Sequence, residues 1–187
     1  MARIRYGSAI KDKATKALVE ALTTIGWQVA MEAYRRKTYT NRTFNLHDSY
    51  GSAVYVDGKL VPDSVKYVNR ARATSISRHG HNIVEYKGNG HYERLGGRAA
   101  LMRFFKQPWI VRKKDRVTLV VAAAMWYGDI VESKGYVVLD EEFVKNAVSH
   151  RIGYVLPQVL AKYPELKGLE PTLRRWVGID EVYAFDL

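Results

Sequence analysis

His79, His81 and His91 fall in one stretch of the chain together with Glu85 and Glu93. Three imidazoles and a carboxylate can hold zinc. Their spacing matches no familiar metal motif, and the glycine- and charge-rich setting is that of solvated loop histidines, so no metal site is assigned. Gly88-Asn89-Gly90 and Gly96-Gly97 could cradle a phosphate. A dinucleotide or P-loop motif needs a strand before, a helix after and fixed spacing. No Gly-Lys-Ser/Thr follows, and ordinary turns account for these glycines. Asp140, Glu141 and Glu142 read as helix capping. Asp129 and Glu132 would lie one turn apart on a helix, a geometry suited to acid–base work, but no histidine or lysine nucleophile stands beside them in sequence. There is no Ser-His-Asp arrangement or nucleophile elbow. The chain has no cysteine, which removes thiolate zinc sites, cysteine nucleophiles and disulfides. The expectation is a protein without catalysis, cofactor or metal.

Charge points to binding instead. The chain has 187 residues and a formal net charge of +11. The stretch 67–116 holds twelve basic and three acidic residues, and so nine of those eleven charges. Its basic residues include Arg70, Arg72, Arg78, Lys87, Arg94, Arg98, Arg103, Lys106, Arg112, Lys113 and Lys114, with Tyr86, Tyr92, Phe104, Phe105 and Trp109 between them. Cations neutralise phosphate and aromatics stack on bases, so the pattern suits nucleic acid. It suits docking on an acidic protein surface equally well. An ordinary solvated loop with packed aromatics is the plain alternative.

The elements that would carry these residues follow from periodicity. Leu18, Leu22, Ile25, Val29 and Ala33 make one apolar stripe, which predicts a helix over 11–36. Residues 52–56 read as a strand, Asp57-Gly58 as a two-residue hairpin turn, and 59–61 as the return, limited by Pro62. Another short strand is expected at 65–68. Arg98 to Lys106 reads as a short helix stopped by Pro108. The apolar run Val117 to Ala123 predicts a buried central strand. A helical turn over 126–132, a turn at Lys134-Gly135 and a strand at 136–139 follow. Asp140 is then an N-cap, with Leu139 placed to staple onto Val144. That helix is expected to run to about Ile152, with Gly153 and Pro157 bending or restarting it. The tail, 168–187, carries Leu173, Trp176, Val177, Ile179, Tyr183 and Phe185. So many apolar side chains need cover. The domain looks complete before them, so they are expected to dock on an adjacent subunit, with Trp176 as anchor.

Two segments carry a family resemblance. Arg42-Thr43-Phe44-Asn45-Leu46-His47-Asp48-Ser49 follows the long helix; Thr43, Leu46 and Ser49 match a Thr-Gly-x-Leu-x-x-Ser pattern, with Phe44 in place of the glycine. Tyr127-Gly128-Asp129-Ile130-Val131-Glu132-Ser133-Lys134-Gly135 supplies Tyr127, Glu132 and Gly135 of a Tyr-Ala-x-x-x-Glu-x-Gly pattern, one residue longer than usual. In these residues and in element order the chain resembles the tail-completion and head–tail joining (neck) proteins of tailed bacteriophages. The resemblance implies an α+β fold, a small antiparallel sheet packed by a long N-terminal helix and a C-terminal helix. It covers Ala14 to about Leu160 apart from the basic insertion 67–116, in a chain expected to be a single domain, 1–187, with an extended C-terminal tail at 168–187. It implies a ring, twelve- or sixfold, around the DNA channel between portal or adaptor proteins and tail proteins. The chain would be made in the host cytoplasm, with no signal peptide or membrane span, and would reside in the virion. The competing readings are a stand-alone nucleic-acid-binding protein of a phage or mobile element and a small metal-dependent nuclease.

Overall fold

A computed structural model of the chain describes residues 8–38, 45–68, 84–86, 92–94, 97–107, 116–124, 134–178 and 182–183. The apolar stripe makes helix α1, Ser8–Arg36, and every residue of that stripe is buried. A single helical turn, α2 (Asn45–Asp48), leads into strand β1, Tyr50–Val56. Asp57 and Gly58 both have positive φ, 52° and 77°. This is the backbone of a two-residue hairpin turn whose twist matches the strands it joins. It delivers β2 (Lys59–Leu60), which pairs antiparallel with the end of β1. Strand β3 (Lys66–Tyr67) pairs with the start of β1. The 3-10 turn Pro62–Ser64 lies between β2 and β3, and Ser64 fills the gap in the ladder. Its Oγ accepts from the Val54 amide at 2.8 Å and donates to the Val61 carbonyl at 2.6 Å.

On its other edge β1 pairs along its whole length with β6, Val117–Ala123, in antiparallel register. Between β3 and β6 in sequence lie a small separate hairpin, β4 (Val84–Tyr86) with β5 (Tyr92–Arg94), and helix α3, Gly97–Phe105. The protein is therefore α+β, with a small antiparallel sheet packed by its N-terminal and C-terminal helices.

Strand alternation divides the core in two. Tyr50 and Val54 with Val117, Leu119, Val121 and Ala123 face α1 and helix α4, Glu141–Leu160. Ala53, Tyr55, Val120 and Ala122 face the opposite way and meet Leu101, Phe104 and Phe105 of α3. A continuous apolar strand cannot reveal which of its residues meets which layer. Val120 accordingly lies on the face away from Leu22 and Ile25. Helix α3 also belongs to the core: Leu101 and Phe105 are fully buried, and the Tyr55 hydroxyl donates to the Phe105 carbonyl at 2.7 Å. The stretch 67–116 is thus not wholly an excursion from the fold.

The segment before α4 is irregular rather than the expected strand. It is tied by the Val137 amide donating to Thr38 Oγ1 at 2.8 Å and by the Tyr50 hydroxyl donating to the Val138 carbonyl. Asp140 caps α4, its Oδ1 accepting from the Phe143 amide at 2.8 Å. The helix does not restart at Pro157 but runs through it to Leu160. A proline leaves the carbonyl four residues earlier without its helical donor. Here that carbonyl belongs to Gly153, and Arg174 Nη2 donates to it at 3.2 Å. Arg174 comes from helix α5, Glu170–Trp176, which forms within the expected extended tail.

The tail is part of its own domain. Leu173 and Val177 are buried in the same cluster as α1 and α4, and Trp176 packs half-buried against it. Strands β7 (Val177–Gly178) and β8 (Val182–Tyr183) run parallel to β6 on its open edge. The expectation that Leu173, Trp176 and Val177 dock on a neighbour is therefore corrected: an open edge of β6 inside the chain takes the tail. Ile179 and Phe185 lie outside the described residues, as do the side chain of Tyr183 and the expected helical turn over 126–132.

Candidate partner or nucleic-acid interface

The basic residues with described side chains cluster on α3. Its apolar side chains Ala100, Leu101, Phe104 and Phe105 are buried against the sheet. Helical geometry then turns Ala99, Met102, Arg103 and Lys106, spaced i, i+3, i+4, i+7, outward. Arg98 sits at the flank, its guanidinium carbon 4.2 Å from the centre of the Tyr67 ring. A cation over an aromatic face is an attractive and orienting contact. The Arg98 Nε is buried and finds no hydrogen-bond partner among the described residues. Tyr67 belongs to β3, and β3 borders α3 closely: a Cβ built on Gly51 would fall 2.4 Å from the Lys66 carbonyl oxygen and 2.5 Å from a Leu101 methyl. The register sets Lys66 opposite Ser52, whose side chain meets Gly26 of α1, so Lys66 lies on the other face of the sheet from α3. No acidic residue occurs in 97–107.

On the other face of the sheet several charges pair among the described residues. Lys13 pairs with Glu165 at 2.6 Å, Lys145 with Glu141 at 2.5 Å and Arg174 with Glu170 at 2.5 Å. Arg151 pairs with Glu32, and Lys162 with Glu20. The hydrogen bond from Lys13 holds the Glu165 carboxyl below its ordinary range. The hydrogen bond to Glu20, with its charge, raises the Lys162 ammonium. Burial, followed by Glu20, raises the Tyr163 phenol, which donates to Glu20 at 3.3 Å. These groups tie the segment that follows α4 to α1 at the surface.

Compared with protein-family models, curated proteins and solved structures, the chain matches none.

Of the residues that carry the family resemblance, Leu46, Ser49 and Gly135 are described. Leu46 and Ser49 are buried. The Ser49 hydroxyl and amide both donate to the Leu46 carbonyl, at 2.8 and 3.2 Å, closing the turn between α2 and β1. The Ser49 carbonyl in turn accepts from the Ala124 amide at 3.2 Å. Gly135 has φ 81°, a left-handed conformation that side chains resist. Thr43, Tyr127 and Glu132 lie outside the described residues, as do Arg70, Arg72, Arg78, Lys87, Arg112, Lys113 and Lys114. Arg94 is placed only by its backbone, opposite Val84. His79, His81 and His91 are also outside, while the β4–β5 register sets Glu85 opposite Glu93. Among the described residues, no group of three or more His, Cys, Asp or Glu side chains is placed to hold a metal ion.

Sequence reasoning passed over the exposed aromatics. Trp27 is 43% exposed on α1, Tyr154 is 44% exposed on α4, and Tyr136 and Val137 are exposed before α4. Trp27 falls opposite the apolar stripe of α1, which a helical projection of the sequence would have displayed. No helix among the described residues is long and apolar enough to cross a membrane.

Proposed function

We propose that this chain is a structural virion protein that forms an oligomeric ring at a bacteriophage head–tail junction, between portal-side and tail-side proteins. The observation that carries the reading is the order and packing of the elements. A long helix leads through the Leu46–Ser49 turn into an antiparallel sheet, and a capped helix closes the same core. That is the architecture the resemblance implies. The exposed aromatics add support. A ring needs two different adhesive surfaces on each subunit, and large apolar side chains left in water are the usual material of such surfaces. Here they occur on α1 and on α4 with its lead-in loop.

Native mass measurement tests the reading, on the purified chain and on particles from the genome that encodes it. The expected species is six or twelve times the 21.4 kDa subunit. A chain absent from the particle and monomeric at all concentrations overturns it. The outward basic face of α3 favours a second reading, a stand-alone nucleic-acid-binding protein of a phage or mobile element, which that outcome would leave in place.

A further inference from the structure

We infer that two copies of this chain pair two-fold through the outward sides of their α1 helices, which run antiparallel across the contact. Glu20, Thr24, Trp27, Met31 and Arg35 recur at helical spacing and form a second stripe on α1, opposite the buried one. Thr24, Trp27 and Arg35 are exposed, and Glu20 and Met31 are half-buried. The two ends of the stripe carry opposite charge, and Trp27 holds its middle. Turned end for end, the stripe matches itself. A dyad beside Trp27 brings Glu20 of one copy, seven residues before it, to Arg35 of the other, eight residues after it. Thr24 meets Met31 in the same way, and Trp27 meets its own copy. A parallel pairing would instead set Glu20 on Glu20 and Arg35 on Arg35, and like charges across an interface are costly. Arg35 makes no ion pair among the described residues. Glu20 holds Lys162 through Oε1 and Tyr163 through Oε2. Two carboxylate oxygens offer about four acceptor sites, which leaves room for the Arg35 guanidinium.

The ground around the stripe has the same character. The ion pairs Glu20–Lys162 and Glu32–Arg151 fix α1 and α4 antiparallel to one another. Trp27 lies between the two pairs on α1, and exposed Tyr154 lies between them on α4. From Ala21 to Tyr34 and from Asn146 to Ala161 the two helices hold seventeen residues that are not buried. A surface of that size ordinarily carries about five charged residues. Here there are two, Glu32 and Arg151, and they pair with each other. A centre poor in charge, holding Trp, Met and Tyr inside a charged rim, is the anatomy of a protein interface. A second copy fits it better than a charged partner does. The middle presents no free charge to attract a polyanion or an acidic protein. Copies of a chain with net charge +11 repel one another except where charge is absent or matched, and this stripe is both. The inference does not rest on the proposed ring. A two-fold contact on α1 joins two copies, and Tyr136 and Val137 before α4 stay exposed for contacts of another kind.

The test is sedimentation velocity of the full chain over a wide range of concentration. A species of twice the 21.4 kDa subunit, or even multiples of it, is expected. Trp27→Lys should weaken the pairing by about 30-fold or more, the loss typical of a central aromatic anchor. Arg35→Glu sets carboxylates together at both rims and should weaken it by about tenfold. The triple variant Glu20→Lys, Lys162→Glu, Arg35→Glu inverts the rim pairs while keeping an ion pair inside the chain, and should restore most of the loss. Thermal midpoints confirm that each variant folds; Arg35 is exposed, so its variants decide the matter even if Trp27→Lys does not fold. A native chain that stays monomeric at every concentration overturns the inference. So does pairing unaffected by Arg35→Glu, or a triple variant that pairs no better than Arg35→Glu alone. Six- or twelvefold species that persist in Trp27→Lys and Arg35→Glu sink this inference and leave the ring standing. A dimer that goes no further, from a chain missing from particles, sinks the ring alone.

Discussion

Gly26 lies in the middle of α1, where glycine is usually a cost. Replacing an interior helical glycine by alanine ordinarily stabilises by about 1 kcal/mol. Here the sign should reverse. A Cβ built on Gly26 would fall 2.6 Å from a Leu119 methyl, 2.7 Å from Ser52 Oγ and 2.9 Å from Ser52 Cβ. The Leu119 methyl is the free end of a side chain and the Ser52 hydroxyl can rotate. The Ser52 Cβ is fixed to β1, which is paired with β6 over its full length. The helix must therefore lift from the sheet, and overpacking of this kind costs about 1–3 kcal/mol. Set against the propensity gain, Gly26→Ala should lose about 1 kcal/mol net. For a chain of this size that corresponds to a fall of about 2–4 °C in Tm. Urea denaturation with linear extrapolation measures the difference. The decisive comparison repeats Gly26→Ala in a Ser52→Gly background. The fixed Cβ is then gone, and the same substitution should stabilise by up to about 1 kcal/mol. A stabilising Gly26→Ala in the native background would show that α1 does not rest on Ser52. Strict additivity of the two substitutions would show that this contact is not the cause.

Further outcomes follow from the same packing. Arg174→Met should lose about 1–2 kcal/mol, because the Gly153 carbonyl then loses its donor beside Pro157; Glu170→Gln, which removes only the exposed ion pair, should lose less than about 1 kcal/mol in the same urea titration. Asp140→Ala should cost about 1 kcal/mol through loss of the cap on Phe143. Glu165 is held below its ordinary value of 4.5. Its contribution is therefore complete above that value and is lost as pH falls through the lower folded-state value. Thermal midpoints of Glu165→Gln and the native chain should converge toward acid, and an unchanged gap would remove the Lys13 pairing as the cause. Truncation after Lys167 should yield a chain that melts far earlier or fails to fold, since burying each large apolar side chain contributes about 1.5–3 kcal/mol. A truncated chain with native stability would return the tail to the role of an external arm.

Local rules made much of the fold readable. The stripe Leu18, Leu22, Ile25, Val29 and Ala33 located α1, Asp57-Gly58 located a hairpin turn, and Asp140 marked the start of α4. In each case the signal and its cause lie within a few residues of one another. What escaped depends on distant partners. Pro157 looked like an interruption because its remedy, the Arg174 guanidinium, arrives from another helix. The tail looked like an arm because its cover is the open edge of β6, about 60 residues earlier in sequence by the Val117–Val177 register. Of the basic residues, the helical spacing of Arg103 and Lys106 could be read from the sequence. The seat of Arg98 on Tyr67 could not, since it needs β3 and α3 to meet across the sheet.

These non-local contacts change where an assembly surface must be sought. The basic stretch and the tail were the natural candidates for reaching a neighbour. Instead α3 covers one face of the sheet, and the tail completes the other layer and extends the sheet along β6. Removing either would expose the chain's own core, so failure to assemble after such a deletion would not distinguish a lost interface from a lost fold. The informative substitutions are at side chains the chain leaves in water: Trp27 on α1, Tyr154 on α4, and Tyr136 with Val137 in the approach to α4. Each is 40–46% exposed, so a polar replacement there disturbs less packing than one in the core. A loss of assembly there, at unchanged stability, would therefore report on the interface alone.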